Sequence, residues 1–204
     1  MLTRYLDESF AGPGLHSQLQ WHCEPARWSV DEPSRCLRVE PDGGTDFWQR
    51  THYGFEADNG HLLFAEVPGD FVVSTQVRFD PLHQYDQAGL MVRVSPSCWL
   101  KASVEYEPAG PSRLGSVVTN HAYSDWSTQE YPSGPGEVWL RVRREGDDYL
   151  IESSQDGKRW MQIRLAHLHE GHGQAVKSGL YACSPKAAGF VAQFKHLTID
   201  LVQA

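Results

Sequence analysis

Val, Phe, Tyr, Trp and Thr recur along the chain in short runs, and within these runs apolar and polar positions alternate. Successive side chains of an extended chain point to opposite faces, so this alternation predicts half-buried β-strands. The clearest runs are Thr45–Tyr53, Leu62–Val67, Phe71–Phe79, Ala88–Val94, Trp99–Tyr106, Leu114–Asn120, Val138–Arg144, Leu150–Ser154, Trp160–Leu165, Ser178–Ala182 and Gly189–Leu201. Their separators have turn chemistry: Asp42-Gly43-Gly44, Asn59-Gly60, Pro68-Gly69-Asp70, Gly146-Asp147-Asp148 and Asp156-Gly157. No window sustains the 3.6-residue apolar period of a helix, although a short one fits near Leu165–His169. The pattern is that of an all-β sandwich, read as one domain over residues 1–204.

Splitting each run by alternation separates a greasy face from an unusual one. Leu90, Val92, Leu100, Ala102, Val104, Leu140 and Val142 fall on the greasy side. Opposite them stand Gln87, Met91 and Arg93 in one run, Trp99, Lys101, Ser103 and Glu105 in the next, and Trp139, Arg141 and Arg143 in a third. Asp46, Trp48, Arg50 and His52 share a face of the first run, as do Ser116, Val118 and Asn120 of another, and Trp126 follows shortly after. A solvated exterior is rich in Thr, Ser, Lys and Glu. Large aromatics among charges instead suit a sugar groove, in which ring plates meet the C–H face of a pyranose and fixed polar groups bond its hydroxyls. The guanidinium groups of Arg50, Arg93 or Arg141 would suit a ligand carboxylate or phosphate. The competing reading is an exterior sheet face with cross-strand ion pairs.

Composition narrows the partners. A net charge of −8 argues against nucleic acid or an anionic membrane, and no stretch approaches the roughly 20 apolar residues of a membrane span. Met1–Gly14 shows no apolar signal segment, and Cys23, Cys36, Cys98 and Cys183 lack CxxC spacing. This points to reduced thiols in a cytoplasmic protein, a Cys23–Cys36 bridge being the lesser alternative. His167, His169 and His172 form a metal-like cluster without clear partners, so neither metal nor cofactor is assigned. Cys183 reads as a plain buried thiol rather than a nucleophile.

Several segments together resemble the DUF1349 family. They are Thr45-Asp46-Phe47-Trp48-Gln49-Arg50-Thr51-His52-Tyr53-Gly54-Phe55, Tyr85-Asp86-Gln87-Ala88-Gly89-Leu90-Met91-Val92-Arg93, and Trp99-Leu100-Lys101 with Val104-Glu105-Tyr106. Ser116–Asn120, Ser124-Asp125-Trp126-Ser127, Ser154–Gly157 and Tyr181-Ala182-Cys183-Ser184-Pro185 extend the match, in order, from about Trp21 to Ile199. The family includes a yeast protein described as a regulator of enolase with links to galactose use. The resemblance implies a concanavalin A-like jelly roll of two curved antiparallel sheets, with the ligand site on the concave one. It supplies no activity.

The leading expectation is a protein binding a small carbohydrate or sugar acid on that sheet through Trp48, Arg50, His52, Gln87, Arg93, Trp99, Lys101, Glu105, Asn120, Trp126 and Arg141. A second is a carbohydrate-active enzyme with Glu105 as general acid or base. Glycosidases of this fold carry E-x-D-x-E on one strand, which is absent here, so a partner such as Asp46, Asp86 or Asp125 would come from another strand. A third is a protein-interaction module in the regulation of carbohydrate metabolism.

Overall fold

A computed structural model describes residues 1–203. Strands β1 (Leu2–Glu8), β2 (Gln20–His22), β3 (Arg27–Asp31), β4 (Cys36–Glu40), β5 (Phe47–Gln49), β6 (Glu56–Asp58), β7 (His61–Val67) and β8 (Phe71–Asp80) make the first half. The second half contains β9 (Gln87–Ser95), β10 (Cys98–Glu105), β11 (Ser112–Asn120), β12 (Tyr123–Tyr131), β13 (Gly136–Glu145), β14 (Asp148–Ser154), β15 (Met161–His167), β16 (Val176–Cys183) and β17 (Val191–Val202). No helix forms among the described residues; Leu165–His167 ends β15 instead of starting one.

The strands form the two antiparallel sheets of a concanavalin A-like jelly roll. One runs β15-β14-β13-β8-β17-β4-β3, with β1 also paired to β17, and the other runs β12-β11-β10-β9-β16-β7-β2. Between them lies the main core. Leu90, Val92, Leu100, Ala102 and Val104 from the seven-stranded sheet meet Val73, Val77, Leu140, Val142, Ile151 and Phe194 from the eight-stranded one. These are the greasy positions of the alternation, since burying one face of each sheet is what stabilises a sandwich.

The alternation places no strand before Thr45, yet β1 to β4 lie there. It also extends one strand over Thr45–Tyr53, whereas only Phe47–Gln49 is a strand, paired with Glu56–Asp58 in a ribbon of its own. That ribbon and its flanks, residues 43–60, cross the outer face of the seven-stranded sheet as an arm. Phe47 and Trp48 of the arm pack on Leu62, Phe64, Met91, Trp99, Val117, Tyr181 and Cys183 to make a second apolar cluster. The outer face is therefore largely a second core, which explains why aromatics stand among its charges.

Candidate functional site

The pairing registers lay out the outer face of the seven-stranded sheet in rows. Trp126, Val117, Lys101, Met91, Gly179 and Phe64 are aligned across neighbouring strands. Two residues towards one end run Ser103, Gly89 and Tyr181; beyond them come Arg113, Glu105, Gln87 and Cys183. Two residues towards the other end run Ser124, Thr119, Trp99, Arg93 and Lys177. Trp99 and Glu105 thus share a face, but six residues of strand hold them roughly 20 Å apart.

The arm closes the Trp99 end. Trp99 is fully buried, its ring 6.0 Å from that of Phe47, and its Nε1 donates to the Pro96 carbonyl at 3.2 Å. Arg93, 5 % exposed, donates to Asp58 of the arm at 2.7 Å. Lys101, 3 % exposed, donates to Asp46 of the arm at 3.1 Å and lies over the rings of Trp99 and Tyr181. The arm's root is fixed by backbone bonds from Gly44 to the Ser184 carbonyl (2.9 Å) and by the Ser184 N–H donating to Thr45 Oγ1 at 3.0 Å.

Beside the arm a cavity of about 120 Å³ remains open. Trp48, Tyr53 and Phe55 of the arm wall one side, with Tyr85 and Trp126 beside them; Asp46, Lys101, Glu105 and Val117 complete the lining. Tyr53 and Phe55 sit at the arm's tip, 58 % and 45 % exposed, and their rings lie tilted against Trp48 and each other. Tyr85 occupies left-handed backbone with φ 73°, a conformation that is strained for a bulky residue. Its loop is held by Asp86, 2 % exposed, whose carboxylate accepts from the N–H groups of Leu82 (2.9 Å) and His83 (2.8 Å) and from Ser184 Oγ (2.9 Å).

Glu105 is the reactive-looking group of this cavity. Desolvation pushes its pKa from 4.5 up to about 8, with Lys101 opposing the shift and Asp46 adding to it. At pH 7 it is mainly a neutral carboxylic acid, able to donate as well as accept. Gln87 supports it: its Nε2 donates to Glu105 Oε2 at 3.0 Å and to the Tyr85 carbonyl at 3.1 Å, while its Oε1 accepts from Tyr181 Oη at 3.2 Å. Gln87 is 2 % exposed and so orients the acid from behind.

Of the sequence candidates, Trp48, Lys101, Glu105 and Trp126 meet in the cavity, and Gln87 backs it. The others lie elsewhere. Arg93 and Trp99 are sealed beneath the arm. Arg50 is exposed outside the cavity, clipping the ribbon through Glu56 at 2.6 Å and lying over Tyr123. His52 is exposed in the arm's turn at φ 64°, edge-on to Tyr53, and lines an adjoining depression that shares Trp48, Tyr53 and Trp126 with the cavity but does not include Glu105 or Lys101. Asn120 shares a face with Leu114 and Val118, which point into the main core, and it bonds the His167 carbonyl (2.8 Å) and the His169 N–H (3.1 Å). Arg141 and Trp139 belong to β13, on the opposite side of the sandwich, where Arg141 pairs with Glu152 at 2.7 Å and covers Trp160. Alternation sorts residues within a strand but does not say which sheet a strand joins.

Tyr53, Phe55, Tyr85 and Val117 are cavity residues that the alternation alone leaves out as binding groups, and Asp46, which it sets on the face of Trp48, joins them there. All five lie inside the segments that carry the family resemblance, which is the signal that marks them. Elsewhere, all four cysteines are free, and burial pushes the Cys183 thiol up, away from thiolate chemistry. His167 and His172 pair instead with Asp148 (2.7 Å) and Asp147 (3.0 Å), and no metal-holding group of side chains occurs among the described residues. No helix of the described residues is long and apolar enough to cross a membrane.

An antiparallel jelly roll whose outer sheet face is roofed by an arm, with one aromatic cavity at the arm's edge, is thus the class that the geometry defines. The family described as "Protein of unknown function (DUF1349)" matches residues 21–201, and the chain belongs to it. It is 37 % identical over 183 residues to "Regulation of enolase protein 1" of Saccharomyces cerevisiae, a match spanning 90 % of this chain and 89 % of the yeast one. A crystal structure described as that of a functionally unknown protein from Saccharomyces cerevisiae superimposes with TM-score 0.83 at 35 % identity, over 92 % of this chain and 98 % of that one. The GH43 protein BlXynB from Bacillus licheniformis shares the fold at TM-score 0.75 and 18 % identity; 96 % of this chain aligns to 39 % of that protein.

Proposed function

We propose that the protein binds a sugar or sugar derivative in the cavity between the arm and the seven-stranded sheet. The observation that carries this reading is the convergence of aromatic walls, Trp48, Tyr53, Tyr85 and Trp126, on the carboxyl group of Glu105, beside the Lys101–Asp46 ion pair. The rings offer faces to C–H groups, and Glu105 offers a donor and an acceptor to hydroxyls. A volume of about 120 Å³ is well below the roughly 300–1,000 Å³ of drug-sized pockets, so one ring is the fitting occupant. Four free thiols and the charge of −8 support a cytoplasmic setting without nucleic acid or membrane as partner.

The test is calorimetric titration with a panel of monosaccharides and their acids and phosphates. Trp126→Ala is expected to weaken the sugar that binds by about tenfold, which corresponds to about 1.4 kcal/mol. Arg141→Ala, on the far sheet, should leave affinity unchanged. A panel without any binding signal, or a Trp126→Ala variant binding as wild type, would sink the reading.

A second reading is hydrolytic. Glu105, whose carboxyl desolvation holds protonated to higher pH, shares the cavity with Asp46, which is paired with Lys101, and two carboxyl groups in one cavity in such different surroundings suit acid–base work. Turnover of aryl glycosides that survives Glu105→Gln would exclude it.

A further inference from the structure

The cavity does not end at Phe55. A second, wider depression of about 580 Å³ adjoins it, and the two share Asp46, Phe55 and Tyr85 as walls. Its charges are almost all spent within the protein. Asp46 is taken by Lys101 (3.1 Å), Glu56 by Arg50 (2.6 Å) and Asp58 by Arg93 (2.7 Å). Lys186 is the exception. It lines the depression, and no carboxylate lies within ion-pair distance of its Nζ among the described residues. The ammonium stands instead over the Tyr85 ring, 5.1 Å from its centroid. A cation–π contact of this kind orients the ammonium without neutralising it. Tyr85 in turn is the shared wall, and it is held in left-handed backbone at φ 73°. The strained tyrosine therefore presents its ring between the two compartments, with the free cation beyond it.

From this geometry we infer that the ligand carries an anionic group, a carboxylate or phosphate, and that Lys186 receives it in the outer depression while the sugar ring occupies the inner cavity. The inference rests on the sugar-binding reading and specifies its substrate class. It also moves the anion-binding role from the arginines to a lysine. Arg93 and Arg50 each already hold an acidic side chain, and Arg141 is on the other sheet. An anion entering beside Lys186 displaces no internal ion pair. The acidic chain as a whole, at −8, would repel anions, so a local unpaired cation at the mouth matters for selecting them.

The experiment compares matched ligands at pH 7: galactose with galacturonate and galactose 6-phosphate, and glucose with glucuronate and glucose 6-phosphate. Wild type is expected to bind the acid or the phosphate about three- to fivefold tighter than the neutral sugar, the scale of an ion pair at an exposed cation. Lys186→Ala should abolish that preference and leave the neutral sugar's affinity as it was, and Lys186→Glu should reverse it. The preference should also shrink in 1 M salt, where screening reaches about 3 Å. Lys186 is exposed, so neither variant is expected to alter folding, which a far-ultraviolet circular dichroism melt verifies. Neutral sugars that bind with no gain from the acid or phosphate, or a gain that Lys186→Ala leaves intact, would overturn this inference while the sugar reading stands. Silence from every ligand would overturn both. Whether the carboxylate or the phosphate gains more identifies the group.

Discussion

Replacing Lys101 with methionine is expected to lower the unfolding free energy by about 3 kcal/mol and to weaken ligand binding by at least about tenfold. The Lys101 ammonium comes from the middle of β10 and is 3 % exposed; its carboxylate partner is Asp46, at the start of the arm. Methionine has similar length and can fill the space between the Trp99 and Tyr181 rings, so the loss is mainly electrostatic. It leaves the Asp46 carboxylate facing an apolar floor with no cation. Removing one member of a buried pair typically costs about 3–5 kcal/mol, and the lower end applies because Asp46 is partly exposed. The arm then loses its central tie, and Trp48, Tyr53 and Phe55, which wall the cavity, lose their placement with it. Urea denaturation with wild type and variant measures the first effect and calorimetry the second. Adding Asp46→Asn to Lys101→Met removes the orphaned charge, so the double variant should recover most of the stability. A single variant as stable as wild type would show that the pair does not hold the arm.

Glu105→Gln is expected to stabilise the protein in alkaline solution, by about 2–3 kcal/mol at pH 9, and to leave stability nearly unchanged at pH 4. The direction follows from linkage. The folded-state pKa of Glu105 is about 8 against an ordinary 4.5, chiefly through desolvation. Below pH 4.5 the carboxyl is protonated whether the chain is folded or not, and it contributes no penalty. As pH rises from 4.5 towards 8, the unfolded chain loses the proton while the folded one keeps it, and stability falls until the folded state also ionises. The full shift corresponds to about 5 kcal/mol, and partial access of water through the cavity mouth reduces it to the range expected. Glutamine cannot ionise and retains an acceptor and a donor for Gln87. Urea midpoints from pH 4 to pH 9 provide the check. Parallel pH profiles for wild type and variant would show that Glu105 ionises normally. The same titration governs binding: sugars that need the protonated acid should bind less well above pH 8, and Glu105→Gln should flatten that decline.

Alternation found most of the strands on which the site depends, because those strands bury one face in the main core. Ala88–Val94 and Trp99–Tyr106 map closely onto β9 and β10, with Leu90, Val92, Leu100 and Ala102 in the core and Met91, Arg93, Trp99 and Lys101 on the opposite side. It did not mark β12, whose residues are mostly exposed on both faces and whose turn uses His121 and Ala122 at φ 53° and 60° in place of Asn-Gly. It also lengthened β5, since Trp48 reads as an outward strand residue although it is buried against another element.

By itself the sequence determined the two-faced strands, the turns between them, the polar and aromatic character of one face, and the segments that mark the family. These are local properties, set by a period of two along the chain and by residue type. Only the tertiary structure decided what the mixed face is for. Folding carries the arm across it, so that Trp99 and Arg93 become a second core while Lys101 anchors the arm from its end of the apolar floor. It sends Arg141 to the far sheet, turns Asn120 inward, and brings Asp46, Tyr85 and Trp126 beside Glu105 from segments distant along the chain. Those outcomes depend on strand order and on one crossing segment. A face defined by alternation can be exposed, covered or hollowed without any change in its pattern, because what covers it is contributed by residues elsewhere in the chain.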